Sequence, residues 1–506
     1  MHKYEEKEQE TSYDHIIKYT GVFGGVQGVN LLVSIIRNKL ASMLLGPSGL
    51  GLVSLYNTAS SLLGNATNFG VPFSAVRHIS ELYEKGDRTE LERFVSVVRG
   101  WSLLTALLGI LVCCLCAPFL SHAYFDDTSQ WLTFLLLSPA VGLAALSGGE
   151  LAILKGIRWL KRIAIQSLLN SLFAVALTIP LYYIFGKSVI VLSLVLVALS
   201  TFLTTIYFSL RAFPISSLSG KYFSLTGGEK MIKLGLAFVF AGILGSGVDF
   251  AIRTYLMQVG SEAVVGLYNA GYVITFSYAS IVFVAMETDY FPRLSAVNQD
   301  IRLSNDVVNR QIEVSLLLIS PLLVGFLVFL PILVPLLYTS EFLPVIAMAQ
   351  CALLGMYVRA VALPIAYLSL AKGRSRVYLF TESLYDVVAV ILVISGYSLG
   401  GLRGTGIALA LAALFDLILV WLTCRTMYGF RISIRSIRLF FLQISLGILT
   451  LVSVLLFEGW YYWLVGCGLL CLSALFSFRV LKKETSLLQV IRKKIVNRFF
   501  RKGEMS

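Results

Sequence analysis

Runs of about 20 apolar residues recur along the whole of this 506-residue chain, and that is the length a helix needs to cross the hydrocarbon of a bilayer. No water reaches that depth, so a crossing segment must satisfy its own peptide groups, as a helix does. Only 14% of the residues are charged, against about a quarter in soluble domains, and mean hydropathy is +0.81. The expected fold class is therefore an all-α polytopic membrane protein.

Hydropathy and helix breakers place fourteen spans, near 16–44, 49–77, 96–121, 131–154, 161–185, 188–212, 231–257, 263–290, 309–337, 342–370, 375–397, 402–426, 437–457 and 460–481. The expected organisation is an N-terminal tail at 1–15, a first lobe at 16–212, a linker at 213–230, a second lobe at 231–426, a final helix pair at 437–481 and a basic tail at 482–506.

The net charge of +13 would suggest nucleic acid in a soluble chain, but its placement says otherwise. Alternate connections hold the basic residues, among them Arg77, Lys85, Arg88, Arg93 and Arg99, then Lys155, Arg158, Lys161 and Arg162, and later Arg425, Arg431, Arg435 and Arg438. The opposite connections hold only Lys187 and Arg403. By the positive-inside rule the rich side, with both termini, is cytoplasmic. The stretch 81–99 reads as an amphipathic helix at that interface, and the basic, apolar-studded tail from 479 to 502 reads as a contact for anionic membrane lipids.

The first fifteen residues carry no cleavable signal pattern, and the connections on the far side are too short for a domain of their own. The seven cysteines all fall in apolar segments, and the four histidines are scattered. No metal-ligand spacing results, so neither a metal nor a cofactor is expected.

One pattern occurs twice. The first copy reads Ile36-Arg37, a turn at Gly46-Pro47-Ser48-Gly49, then Leu55-Tyr56-Asn57; the second reads Ile252-Arg253, a turn at Gly260-Ser261-Glu262, then Leu267-Tyr268-Asn269. Lys18 and Lys233 precede the copies, and Pro72 and Pro292 close them. Duplicated helical halves facing a midplane site are a common plan for transporters, which gives two pseudo-repeated six-helix lobes around a central cavity.

A charge at membrane depth costs about 2.5–3.5 kcal/mol on insertion scales, so charges left inside the spans need a reason. The cations are Arg37, Lys39, Arg253 and Arg359; the acids are Glu150, Asp249, Glu287, Asp289, Glu313, Glu382, Asp386 and Asp416. Arg37 and Arg253 recur in the two copies and are candidates to line the cavity, with Arg359 weaker and Lys39 on another face, placed to snorkel outward. Asp249 and Arg253, four apart, can neutralise each other. Glu382 and Asp386 share a face and need a proton or a cation, which Arg359 can supply. Asp249, Glu382, Asp386 and Glu150 are candidates for ion coupling. Asn57, Asn65 and Asn68 form one polar stripe, and Asn269 repeats Asn57. Such a stripe either glues helices together or faces sugar hydroxyls in a hydrated cavity.

Leu45-Gly46-Pro47-Ser48-Gly49-Leu50-Gly51, followed by Asn68-Phe69-Gly70-Val71-Pro72 and Ser74-Ala75-Val76-Arg77, resembles the start of a Wzx-type polysaccharide flippase of the MOP exporter superfamily. The resemblance implies inner-to-outer flipping of an undecaprenyl-diphosphate-linked oligosaccharide, an O-antigen, capsule or exopolysaccharide repeat unit, in the bacterial inner membrane. It also implies alternating access through a V-shaped cavity with cations at Arg37, Arg253 and Arg359, and a polysaccharide polymerase complex as a further partner. A thirteenth and fourteenth span depart from many O-antigen members but match lipid II flippases of the same superfamily. The competing readings are a multidrug exporter, which would want an aromatic or acidic pocket, and a membrane glycan polymerase, ligase or acyltransferase. The enzymes would want an outer loop or a deep histidine that this sequence lacks, so no catalytic residue is expected.

Overall fold

A computed structural model describes residues 2–214, 228–279 and 281–484. The linker residues 215–227, the basic tail from 485 and the side chains of Lys18, Lys233, Glu287 and Asp289 lie outside the described residues. The described chain is helical throughout, and nine of its helical stretches are long and apolar enough to cross a membrane. Three of the nine, Gly28–Thr67, Leu160–Ala212 and Ser375–Tyr428, run to 40, 53 and 54 residues, enough for two passes each, and with the further helical stretches 229–259 and 262–296 the layout is consistent with fourteen spans. Leu107, Leu111 and Leu115 make an exposed stripe on one helix, with Leu115 71% exposed, while Ser102, Thr105 and Cys113 of the same helix are buried. An apolar face turned outward over a partly polar interior is what a lipid solvent selects.

The chain forms two compact units, one of residues 1–269 with 336–342, the other of 270–335 with 343 onward. The first unit begins with α1 (His2–Thr67), which breaks at Gly46, whose φ of 64° and ψ of −172° suit only glycine; Pro47 then starts the second half. The expected span at 49–77 proves to be two helices. Asn68 accepts the Gly70 amide at 2.8 Å, and Phe69 and Gly70 take positive φ before α2 (Val71–Lys85) begins.

The expected interfacial helix at 81–99 is likewise cut. Gly86, at φ 75°, closes α2, and the Asp87 side chain accepts the Glu90 amide at 3.0 Å to open α3 (Arg88–Phe125). Glycine after a helix and aspartate before the next are strong stop and start signals, and here they outweigh the continuous amphipathic pattern. The unit continues through α4 (Trp131–Gly156), α5 (Leu160–Phe185), α6 (Ile190–Ala212), α7 (Glu229–Val259) and most of α8 (Glu262–Tyr272).

The two copies of the repeated motif touch each other inside this unit. A Cβ on Gly51 would stand 1.9 Å from the Glu262 carbonyl oxygen, and one on Gly266 would stand 1.9 Å from that of Pro47. Backbone meets backbone there, the close approach that small residues allow between membrane helices. Polar bonds lock other pairs: Asn30 donates to Ser167 at 2.8 Å and Gln166 to Thr205 at 2.7 Å.

The second unit starts with a π-helical turn, Val273–Tyr278, then α9 (Ile281–Ala296), α10 (Ile301–Leu337), α11 (Val345–Ala371), α12 (Ser375–Tyr428), α13 (Ile434–Leu456) and α14 (Gly459–Glu484). Helix α11 is its core, with 72% of its apolar stretch buried. Helix α12 packs on α11 through Gly406, whose missing side chain lets the Met348 carbonyl approach. It breaks at Gly400 and Gly401, where the sequence places a boundary between two spans.

Candidate functional site

The first unit holds a cavity of about 800 Å³ walled by α1, α2, α4, α5 and α6. The second half of α1 supplies Asn57, Ser61, Gly64 and Asn65, which fall on one helical face, and the turn that follows it supplies Asn68. The opposite face of the same helix, with Leu55, Ala59 and Leu63, is buried. Helix α5 adds Gln166, Ser167, Asn170 and Ser171, and α6 adds Thr201 and Thr205. Above them, from the first half of α1, stands Arg37.

Among the described residues the lining contains side-chain amides, hydroxyls, small and aliphatic residues and one guanidinium, with no carboxylate and no aromatic ring. Among the described residues Arg37 makes no ion pair or hydrogen bond; its electrostatic neighbour is the Tyr182 hydroxyl. Asn57 is exposed to the cavity and is equally unbonded. Asn65 reaches the Gly242 carbonyl at 3.3 Å, and Asn170 accepts from Thr204. The site thus presents an uncompensated positive charge and spare amide groups to whatever enters.

The other expected site residues go elsewhere. Arg253, the counterpart of Arg37, is buried and donates to the Asp249 carboxylate at 2.6 Å, to Ser54 at 2.8 Å and to Asn269 at 3.4 Å, with its guanidinium 5.7 Å from the Tyr268 ring centre. Asn269 therefore serves this network, as does Asp249. Lys39 donates to the Tyr338 carbonyl. Glu150 pairs with Arg99 at 2.9 Å, both nearly inaccessible, and Arg99 also reaches Ser209 at 3.3 Å and the Phe213 carbonyl at 3.4 Å.

In the second unit Arg359 lies 5.7 Å from the Phe276 ring centre and in electrostatic contact with Glu382, Asp416, Tyr385 and Tyr272; Asp386 in turn faces Asp416. The sequence reading placed Glu382 and Asp386 opposite Arg359, and the structure adds Asp416 and the tyrosines.

Two features escaped the sequence reading. The sequence places Arg99 among the basic residues of a connection, but it is buried within α3, against Glu150. The α5 stripe carries no charge, and its signal is the repeat of Gln166 with Asn170 and of Ser167 with Ser171, each four apart, which makes a helical polar face.

Residues 40–347 match the polysaccharide biosynthesis protein family. The chain belongs to that family. It is 24% identical over 364 residues to the lipid III flippase of Escherichia coli strain K12, which covers 70% of this chain and 84% of that protein. The Shigella flexneri lipid III flippase matches to the same extent. Among solved structures, the inward-closed lipid II flippase MurJ superposes with a TM-score of 0.68 at 15% identity, over 91% of this chain and 99% of that one. An inward-facing multidrug resistance MATE transporter of the MOP superfamily superposes with a TM-score of 0.65 at 17% identity, over 78% and 94%. This member of the polysaccharide biosynthesis family therefore has the fold shared by MOP-superfamily transporters, as its first two helices suggest. The similar proteins are flippases and transporters, not enzymes.

Proposed function

We propose that the chain flips an undecaprenyl-diphosphate-linked oligosaccharide, a surface-polysaccharide repeat unit, from the inner to the outer leaflet of the bacterial cytoplasmic membrane by alternating access. The observation that carries this reading is Arg37, unpaired in a cavity whose remaining polar groups are amides and hydroxyls. A guanidinium binds phosphate oxygens through two parallel hydrogen bonds, and amides such as that of Asn57 match sugar hydroxyls. A cavity whose described lining holds neither acid nor aromatic ring suits a cationic aromatic drug poorly, which sets the multidrug reading second. The 24% identity to lipid III flippases supports the same direction.

The barrier, not the driving force, is what the protein must change. With both termini cytoplasmic, an inside-negative potential contributes about 2.3 kcal/mol per charge per 100 mV to export of the diphosphate. What resists is the passage of a charged, hydrated head through hydrocarbon, and a cavity that compensates charge and replaces hydration removes that resistance while the polyprenyl tail stays in lipid. The Arg359 cluster, remote in sequence from Arg37, is the candidate for ion coupling. The test uses proteoliposomes loaded with a fluorescent undecaprenyl-diphosphate glycan and an impermeant quencher. Leaflet exchange that needs the protein supports the reading; export of cationic dyes without glycan exchange overturns it.

A further inference from the structure

A second cavity, of about 530 Å³, lies in the second unit where α12 ends and α13 begins. Its walls are Trp421, Phe430, Ile432 and Ile437, and its polar groups are the side chains of Arg425 and Arg431. We propose that it holds the phosphate of an anionic membrane phospholipid, a site separate from the transport cavity.

Both arginines are exposed, and neither meets a carboxylate among the described residues. The adjacent Arg435 does meet one, Glu313, at 3.3 Å, so the two free cations are not simply short of acids in their neighbourhood. Arg425 stands 5.1 Å from the Trp421 ring centre, and that stacking orients its guanidinium while leaving its donors free. Arg431 projects from a fixed backbone: Asn309 donates to its carbonyl at 2.9 Å and accepts the Ser433 amide at 2.7 Å. Gly429, at φ 67°, ends α12 and turns the chain into the cavity wall, with its amide on the Arg425 carbonyl at 3.1 Å. The N-terminus of the 23-residue α13 adds positive potential.

The apolar half of the ligand is matched as well. Ile418, Leu422, Ile434 and Phe441 lie exposed on the same two helices, Ile434 at 65% and Phe441 at 61%, giving acyl chains an apolar surface beside the charged end. Charge and apolar surface together fit an amphiphile rather than a free anion, and basic pockets between membrane helices are where anionic headgroups settle.

Native mass spectrometry of the purified full chain, exchanged into equal phosphatidylglycerol and phosphatidylcholine, reads the preference directly. Wild type should retain phosphatidylglycerol, and Arg425→Ala with Arg431→Ala should weaken that preference roughly thirty-fold. Arg374→Ala with Arg376→Ala removes the same charge elsewhere and should leave it intact. An unchanged preference in the first variant, or an equal loss in the second, would overturn the proposal. So would displacement of phosphatidylglycerol from wild type by an equimolar polyprenyl diphosphate, which would give the cavity to the transported lipid instead.

Discussion

Arg37 and Arg253 occupy matching places in two copies of one motif, yet the surroundings of each are opposite. Arg37 borders open polar space and meets no counter-ion among the described residues, while Arg253 is sealed among Asp249, Ser54, Asn269 and Tyr268. Part of the difference lies within each helix itself. Asp249 lies one helical turn before Arg253, and the corresponding position before Arg37 is Val33. A cation whose partner is built into its own helix is part of the scaffold; one without a partner has its binding capacity left for a ligand.

The sharpest way to break this comparison is to remove each cation in turn. Arg37→Ala should reduce glycan exchange about a hundred-fold, the worth of two charge-assisted hydrogen bonds, with thermal unfolding unchanged. If Arg253→Ala gave the same transport loss with equal stability, the division of roles would fail. Next in size is Asp249→Ala, which leaves a buried guanidinium without its carboxylate. A loss of about 3 kcal/mol is expected, seen as a lower unfolding midpoint. Arg253→Ala should cost less, because Asp249 is 45% exposed and water can take it over. In the cavity, Asn57→Ala should raise the half-saturating glycan concentration several-fold and leave stability alone, since one hydrogen bond to a neutral group is worth about 1 kcal/mol. The smallest effect belongs to Asn269→Ala, about 0.6 kcal/mol of stability with transport intact. A transport defect there would put Asn269 back beside Asn57 as a cavity residue.

The sequence made the helices easy to read, because a bilayer accepts little but long apolar helices. It also exposed the stripe of Asn57, Asn65 and Asn68 by its spacing, although the helix ends at Thr67 and Asn68 lies in the turn that follows. What it hid depends on partners far along the chain. Arg99 looks like an interfacial charge until Glu150, 51 residues on, is seen beside it. Arg37 and Arg253 differ along their own helices at Val33 and Asp249, but the Ser54 and Asn269 that also enclose Arg253 come from other helices and are not visible there. The breaks at Gly86 and Gly70 were legible in residue type, since glycine with aspartate or asparagine beside it marks a helix end, but periodic hydropathy across them masked the signal.

The crossing of Gly51 and Gly266 has a consequence for how such a molecule can change over generations. Two similar stretches of one chain can vary independently wherever each faces its own surroundings, as Arg37 and Arg253 do. Where the copies press on each other with no room for even a methyl group, neither can gain an atom unless the other helix moves away. That contact constrains both stretches together, holding glycine at one point of each while the chemistry around it is free to differ.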